Sequence, residues 1–149
     1  MMAEIADDPV NWQVLSSETR FRNRWITLVE DTVLLPGEKL YTYTRLEPAG
    51  IGVGVVAFDD AGNILLEREY RHGVGEVVWQ IPGGLADEGE SLQEAGLREL
   101  LEESGYAPAV VNAETVRYLG MVWDNPGYGK AASHIFAVRG AVLADAVHR

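Results

Sequence analysis

Residues 91–105 constrain the fold more than any other segment, because they carry the one strong helix signal in a chain that otherwise reads as extended. Ser91 is a candidate N-cap and Glu94 stands three residues on, the two halves of a capping box. Helix-forming Leu, Gln, Glu, Ala and Arg follow as far as Ser104, and Gly105 suits the C-terminal stop. The flanking sequence is of strand type. Residues 12–15, 25–35 and 40–46 predict an extended N-terminal section, with a Pro36-Gly37 turn before the third run. Residues 51–58 are rich in β-branched side chains and suit a strand buried on both faces; the turn Asp59-Asp60-Ala61-Gly62-Asn63 then leads into 64–69, which predicts a hairpin. Residues 77–81 form a further strand ended by Pro82-Gly83-Gly84, and 115–122 and 134–138 form two more around the turn-rich stretch 124–130. Strands on both sides of one helix predict an α/β or α+β sandwich.

With 149 residues, 47% hydrophobic and 23% charged, the chain is long enough for one sizeable core, and a single domain over 1–149 is expected. Its formal charge of -11 argues against a nucleic-acid surface, because phosphate backbones are neutralised by Lys and Arg. An acidic protein that handles phosphate needs a cation. With no cysteine there is no disulfide scaffold, thiolate metal site or thiol nucleophile, so carboxylates are the candidate ligands. The acidic start Met1-Met2-Ala3-Glu4-Ile5-Ala6-Asp7-Asp8 lacks the basic and apolar regions of a signal peptide, and the apolar runs fall far short of the ~20 residues that span a bilayer. A soluble, cytoplasmic protein without membrane partners is expected.

On the helix, Leu97, Leu100 and Leu101 are expected in one apolar arc, with Glu99, Glu102 and Glu103 opposite. The glutamates are three and four positions apart, so their carboxylates can converge; without a cation such pairs cost roughly 0.2–0.5 kcal/mol each, and the helix C-terminus disfavours negative charge. A hard cation with oxygen ligands would offset that cost. Taken alone, the helix also fits a solvated acidic face with Arg98 as partner.

The spacing around the helix decides between these. From Gly84 the chain runs through Glu90, Arg98-Glu99-Leu100, Glu102-Glu103 and Gly105 to apolar Tyr106. This resembles the Nudix box, residues 84–106 here, at every fixed position. Resemblance to Nudix hydrolases implies an α/β/α sandwich with a mixed β-sheet, the box forming a loop, helix and loop that holds Mg²⁺ or Mn²⁺. It implies Glu99 and Glu103 as metal ligands, Glu102 as a third, and a backbone carbonyl of Gly83 or Gly84 as another. Arg98 and Glu90 are expected to orient the cluster by hydrogen bonds and an ion pair. The reaction implied is attack of water on phosphorus, with Glu99 or Glu102 accepting the proton.

Leu65-Leu66-Glu67-Arg68-Glu69-Tyr70-Arg71, Val78-Trp79-Gln80-Ile81-Pro82-Gly83-Gly84 and Asn125-Pro126-Gly127 resemble segments of the ADP-ribose and nucleoside-diphosphate-sugar pyrophosphatases. That likeness implies a nucleoside diphosphate derivative as substrate, with Arg71 contacting its phosphate. It also implies that the strand region 1–46 pairs two copies into a homodimer. Gln80 stands where that group usually carries Glu. The sequence ends at Arg149, about where those enzymes continue into a loop with a further catalytic glutamate; by that likeness either the box glutamates supply the base or this chain lacks part of that machinery. Other Nudix hydrolases, acting on nucleoside triphosphates or dinucleoside polyphosphates, and a non-catalytic nucleotide-sugar sensor are the competing readings. Trp12, Trp25, Trp79 and Trp123 are expected in core or interface rather than stacked on a base, and His134 is expected to be structural.

Overall fold

The computed structural model describes residues 10–144, which divide between two compact units. One takes the chain up to Ala49 together with Gly127–Lys130; the other takes Gly50–Pro126 and the chain from Ala131 onward.

The first unit is an antiparallel meander of β1 (Gln13–Arg22), β2 (Ile26–Leu35) and β3 (Lys39–Pro48) in that order. The Asn23 side chain accepts hydrogen bonds from the Trp25 and Ile26 N–H groups, which turns β1 into β2. Gly37 and Glu38 both take positive φ in the β2–β3 turn, a conformation that glycine reaches without steric cost. β2 is the middle strand and buries Val29, Asp31 and Val33, residues on one face by the strand period of two. Every residue of β1, the edge strand, is exposed.

In the second unit the elements are β4 (Gly52–Phe58), β5 (Glu67–Arg71), β6 (Glu76–Gln80), β7 (Gly83–Leu85), α1 (Leu92–Ser104), β8 (Tyr106–Pro108), β9 (Val116–Trp123), β10 (Ala132–Arg139) and β11 (Ala141–Leu143). A mixed sheet runs β7-β4-β10-β9, with β4 parallel to β10 and the other pairs antiparallel. Two short ribbons, β5 with β6 and β8 with β11, complete the unit. Val55, Ala57, Phe136, Val138 and Val116 of the sheet pack with Leu100 of α1 and with Ala141. Full burial of a side chain such as Leu100 contributes roughly 2–3 kcal/mol. Gly96 lets the helix lie close on the sheet, since a Cβ there would touch Val55 and Phe136. The fold class is α/β with a mixed sheet, as expected, and α1 is the one α-helix among the described residues. No helix of the described residues is long and apolar enough to cross a membrane.

Two expectations need correction. The hairpin predicted from 51–58 and 64–69 stops after the Phe58–Ile64 bridge and the Leu65 N–H bond to Ala57, because the next residues pair with β6 instead. Nor do the three glutamates of α1 lie opposite an arc of three leucines. The sheet-facing side contains Ala95, Gly96 and Leu100, and Leu101 is 39% exposed. Small residues at 95 and 96 shift the contact around the helix, so Glu99 and Glu103 turn toward β7 while Glu102 faces solvent.

Candidate active site

Local chemistry sets the helix that presents the glutamates. Ser91 Oγ accepts from the Glu94 N–H and the Glu94 carboxylate accepts from the Ser91 N–H, the full capping box read from the sequence. At the other end Gly105 is left-handed and its N–H donates to the Leu101 carbonyl. The last turn has no basic residue to balance its glutamates.

Arg98 gathers one group of acids. Its Nε and Nη2 donate to the two oxygens of Glu90 at 3.0 Å each, and Nη2 also donates to the Leu85 carbonyl. Its Nη1 reaches Glu99 at 2.9 Å and Glu102 at 3.2 Å. This fork holds the Glu90 carboxyl below the usual carboxylate range, helped by the Asp87 N–H, and raises the guanidinium pKa further. Glu99, with its side chain only 14% exposed, lies over Gly84, where any Cβ would overlap the carboxylate. Glu102 is 59% exposed and hydrogen-bonded to Arg98 alone among the described residues.

Glu103 joins a different group. β7 is the sheet edge, and the outward N–H of Gly83 donates to Glu103 Oε2 at 2.7 Å. Carboxylate oxygens of Glu103, Glu67 and Glu69 all come within 4.8 Å of one another. Burial pushes the Glu103 carboxyl above its ordinary value, Glu67, Glu99 and Glu69 push the same way, and the Gly83 hydrogen bond opposes them. Glu67 and Glu69 lie outside the box spacing that singles out the helix glutamates. The available signal was their i, i+2 spacing on a strand, which places both on one face.

Arg71 extends that same face of β5. Its Nε donates to Gln80 Oε1 at 2.9 Å, and its Nη2 lies 2.8 Å from Glu69. Gln80 Nε2 donates to Glu67 at 2.6 Å and to Glu69 at 2.7 Å. Thus Glu90, Glu99 and Glu102 gather on Arg98 with Gly84 against Glu99, Glu103 sits with Gly83, Glu67 and Glu69, and Arg71 reaches this second group through Gln80 and Glu69. Trp12, Trp25, Trp79 and Trp123 are all exposed, contrary to a core role in this chain; Arg24 and Arg68 lie over the rings of Trp25 and Trp79. His134 stacks on Tyr118 and hydrogen-bonds its hydroxyl.

Comparison with known proteins gives consistent likenesses. The NUDIX domain model matches residues 48–147, and the model of the nucleoside diphosphate sugar hydrolase N-terminal domain matches residues 12–46. The chain is 33% identical to an ADP-ribose pyrophosphatase of Mycobacterium tuberculosis, over 87% of this chain and 60% of that protein. It is 28% identical to an ADP-ribose pyrophosphatase of Bacillus subtilis, over 83% of this chain and 64% of that protein. The chain therefore spans less than two thirds of the length of either relative. A crystal structure of an ADP compounds hydrolase superposes with a TM-score of 0.78 at 25% identity, covering 93% of this chain and 72% of the other.

Proposed function

Since this chain belongs to the NUDIX domain family, we propose that it hydrolyses the diphosphate of ADP-ribose or a related nucleoside-diphosphate sugar, releasing a nucleoside monophosphate and a sugar phosphate. The observation that carries this reading is Glu103, solvent-accessible, held by the Gly83 N–H and facing part-buried Glu67 and Glu69, one turn of helix from Glu99. Three carboxylates so close repel one another, and they form an all-oxygen donor set that fits a hard divalent cation. Glu103 would hold Mg²⁺ or Mn²⁺ together with Glu99 and the Gly83 carbonyl, with Glu67 and Glu69 on the β5 side and Glu102 and Gly84 beside them. Gly83 is favoured over Gly84 because its carbonyl leaves the strand on the same side as its outward N–H. When bound, such an ion polarises phosphoryl oxygens and lowers the pKa of water.

The chain's own groups supply the rest. Arg71 binds a diphosphate oxygen by charge-assisted hydrogen bonds. Arg98 keeps Glu90, Glu99 and Glu102 in register. Glu102, exposed and lightly held, takes the proton as water forms the new P–O bond and the bridging P–O bond breaks, the electron pair leaving with the monophosphate. Exposed β1, with Val14, Leu15 and Phe21 on its surface, supports pairing of two copies into a homodimer, checked by light scattering in solution.

Incubation with ADP-ribose and Mg²⁺, alongside nucleotide sugars, triphosphates and dinucleoside polyphosphates, tests the function. AMP and ribose 5-phosphate as products support it. Turnover confined to triphosphates or dinucleoside polyphosphates overturns the substrate class, and tight binding of ADP-ribose without turnover makes the protein a sensor.

A further inference from the structure

Gln80 lies directly across from Glu67 in the β5–β6 ribbon, on the face that also carries Glu69 and Arg71. Its amide is fully engaged: both acids accept from Nε2, and Oε1 accepts from the Arg71 Nε–H. A primary amide suits this place because it offers donors toward two carboxylates and an acceptor toward a guanidinium. A flipped amide would set oxygen against carboxylates and N–H against guanidinium, so the partners fix its orientation. With Nε on Gln80 and Nη2 on Glu69, Nη1 of Arg71 is left without a hydrogen-bond partner among the described residues. Arg71 is half exposed, and a side chain of this length loses considerable rotamer freedom unless something holds it beforehand.

We propose that Gln80 is a positioning residue that aims the Arg71 guanidinium at the substrate diphosphate, through its hydrogen bond to Arg71 and its bridge to Glu69, without touching substrate. This rests on the role given to Arg71 above and adds the group that pre-organises it.

The test is a double-mutant cycle read by calorimetric titration with the non-hydrolysable α,β-methylene analogue of ADP-ribose at fixed Mg²⁺. Arg71→Ala weakens binding about tenfold or more, as loss of a charged hydrogen bond does, and Gln80→Met, close to glutamine in volume, weakens it about fivefold. In the Arg71→Ala background Gln80→Met adds less than about twofold, because its effect passes through Arg71. In turnover assays Gln80→Met raises KM by the same factor and leaves kcat within about twofold. Gln80→Ala repeats the measurement should the Met variant melt early. Additive losses, or unchanged affinity in both Gln80 variants, overturn the role of Gln80 while Arg71 keeps its own. Unchanged affinity in Arg71→Ala overturns both assignments, and a wild-type protein that does not bind the analogue overturns the substrate reading with them.

Discussion

Glu103 and the two glycines before it are where single atoms matter most. Glu103→Gln keeps the volume and removes a charge from beside Glu67 and Glu69. Metal-dependent turnover falls by about a hundredfold or more, a loss of ~3 kcal/mol in transition-state stabilisation. In metal-free buffer the thermal midpoint holds or rises, because like-charge repulsion is relieved. Unchanged turnover at saturating Mg²⁺ would remove Glu103 from the site. The adjacent glycines separate site geometry from fold. A Cβ at Gly83 runs into the Val53 carbonyl, so Gly83→Ala disrupts β7 pairing and lowers the melting temperature. A Cβ at Gly84 meets only the end of the Glu99 side chain, which can swing away, so Gly84→Ala folds normally and loses activity by at least about tenfold. Equal stability losses in the two variants would contradict this. Neither close approach follows from local sequence, since Gly83 meets β4 and Gly84 meets α1.

α1 is the element whose limits were most legible, because the Ser91–Glu94 box and the left-handed Gly105 act within a few residues. Ser91→Ala removes the side-chain acceptor of the Glu94 N–H and costs ~1 kcal/mol. The cap is three turns from Glu103, so chemical denaturation shifts to lower denaturant while kcat stays within about twofold; a large loss of kcat would mean that the N-terminus helps to set the site. The burial of this helix was less legible. Periodicity placed Leu97, Leu100 and Leu101 together, but close contact at Ala95 and Gly96 exposes Leu101 and brings Glu99 and Glu103 to the sheet edge. β7, β8 and β11 span three residues each, too short for any period to register.

At the scale of the whole molecule, the two units carry different chemistry, and the first carries a buried acid. In the N-terminal unit Asp31 is 4% exposed and paired with Arg45, which also contacts Glu47. Its hydrogen bond to Arg45 lowers the Asp31 pKa, burial opposes, and Ser17 and Lys130 add to the lowering. A depressed folded pKa stabilises above the ordinary carboxylate value of ~3.9, and that stability is lost as pH falls through the lower folded value. Hydrogen exchange of β1 to β3 is therefore expected to show constant protection free energy from neutral pH to about 5 and a decline below about 4, which Asp31→Asn flattens. A decline of the same size in the Asn variant would place the acid sensitivity elsewhere. The sequence by itself determined the helix and its caps, the strand-rich flanks, the spacing of Gly84, Glu90, Arg98, Glu99, Glu102 and Glu103, and hence the family, because these depend on residues close along the chain. Only the tertiary structure decided that β5 leaves β4 for β6, that Glu67 and Glu69 meet Glu103, and that Gln80 holds Arg71. These contacts join residues five to thirty-six positions apart, and chain reversals and competing strand pairings settle them where no local periodicity reaches.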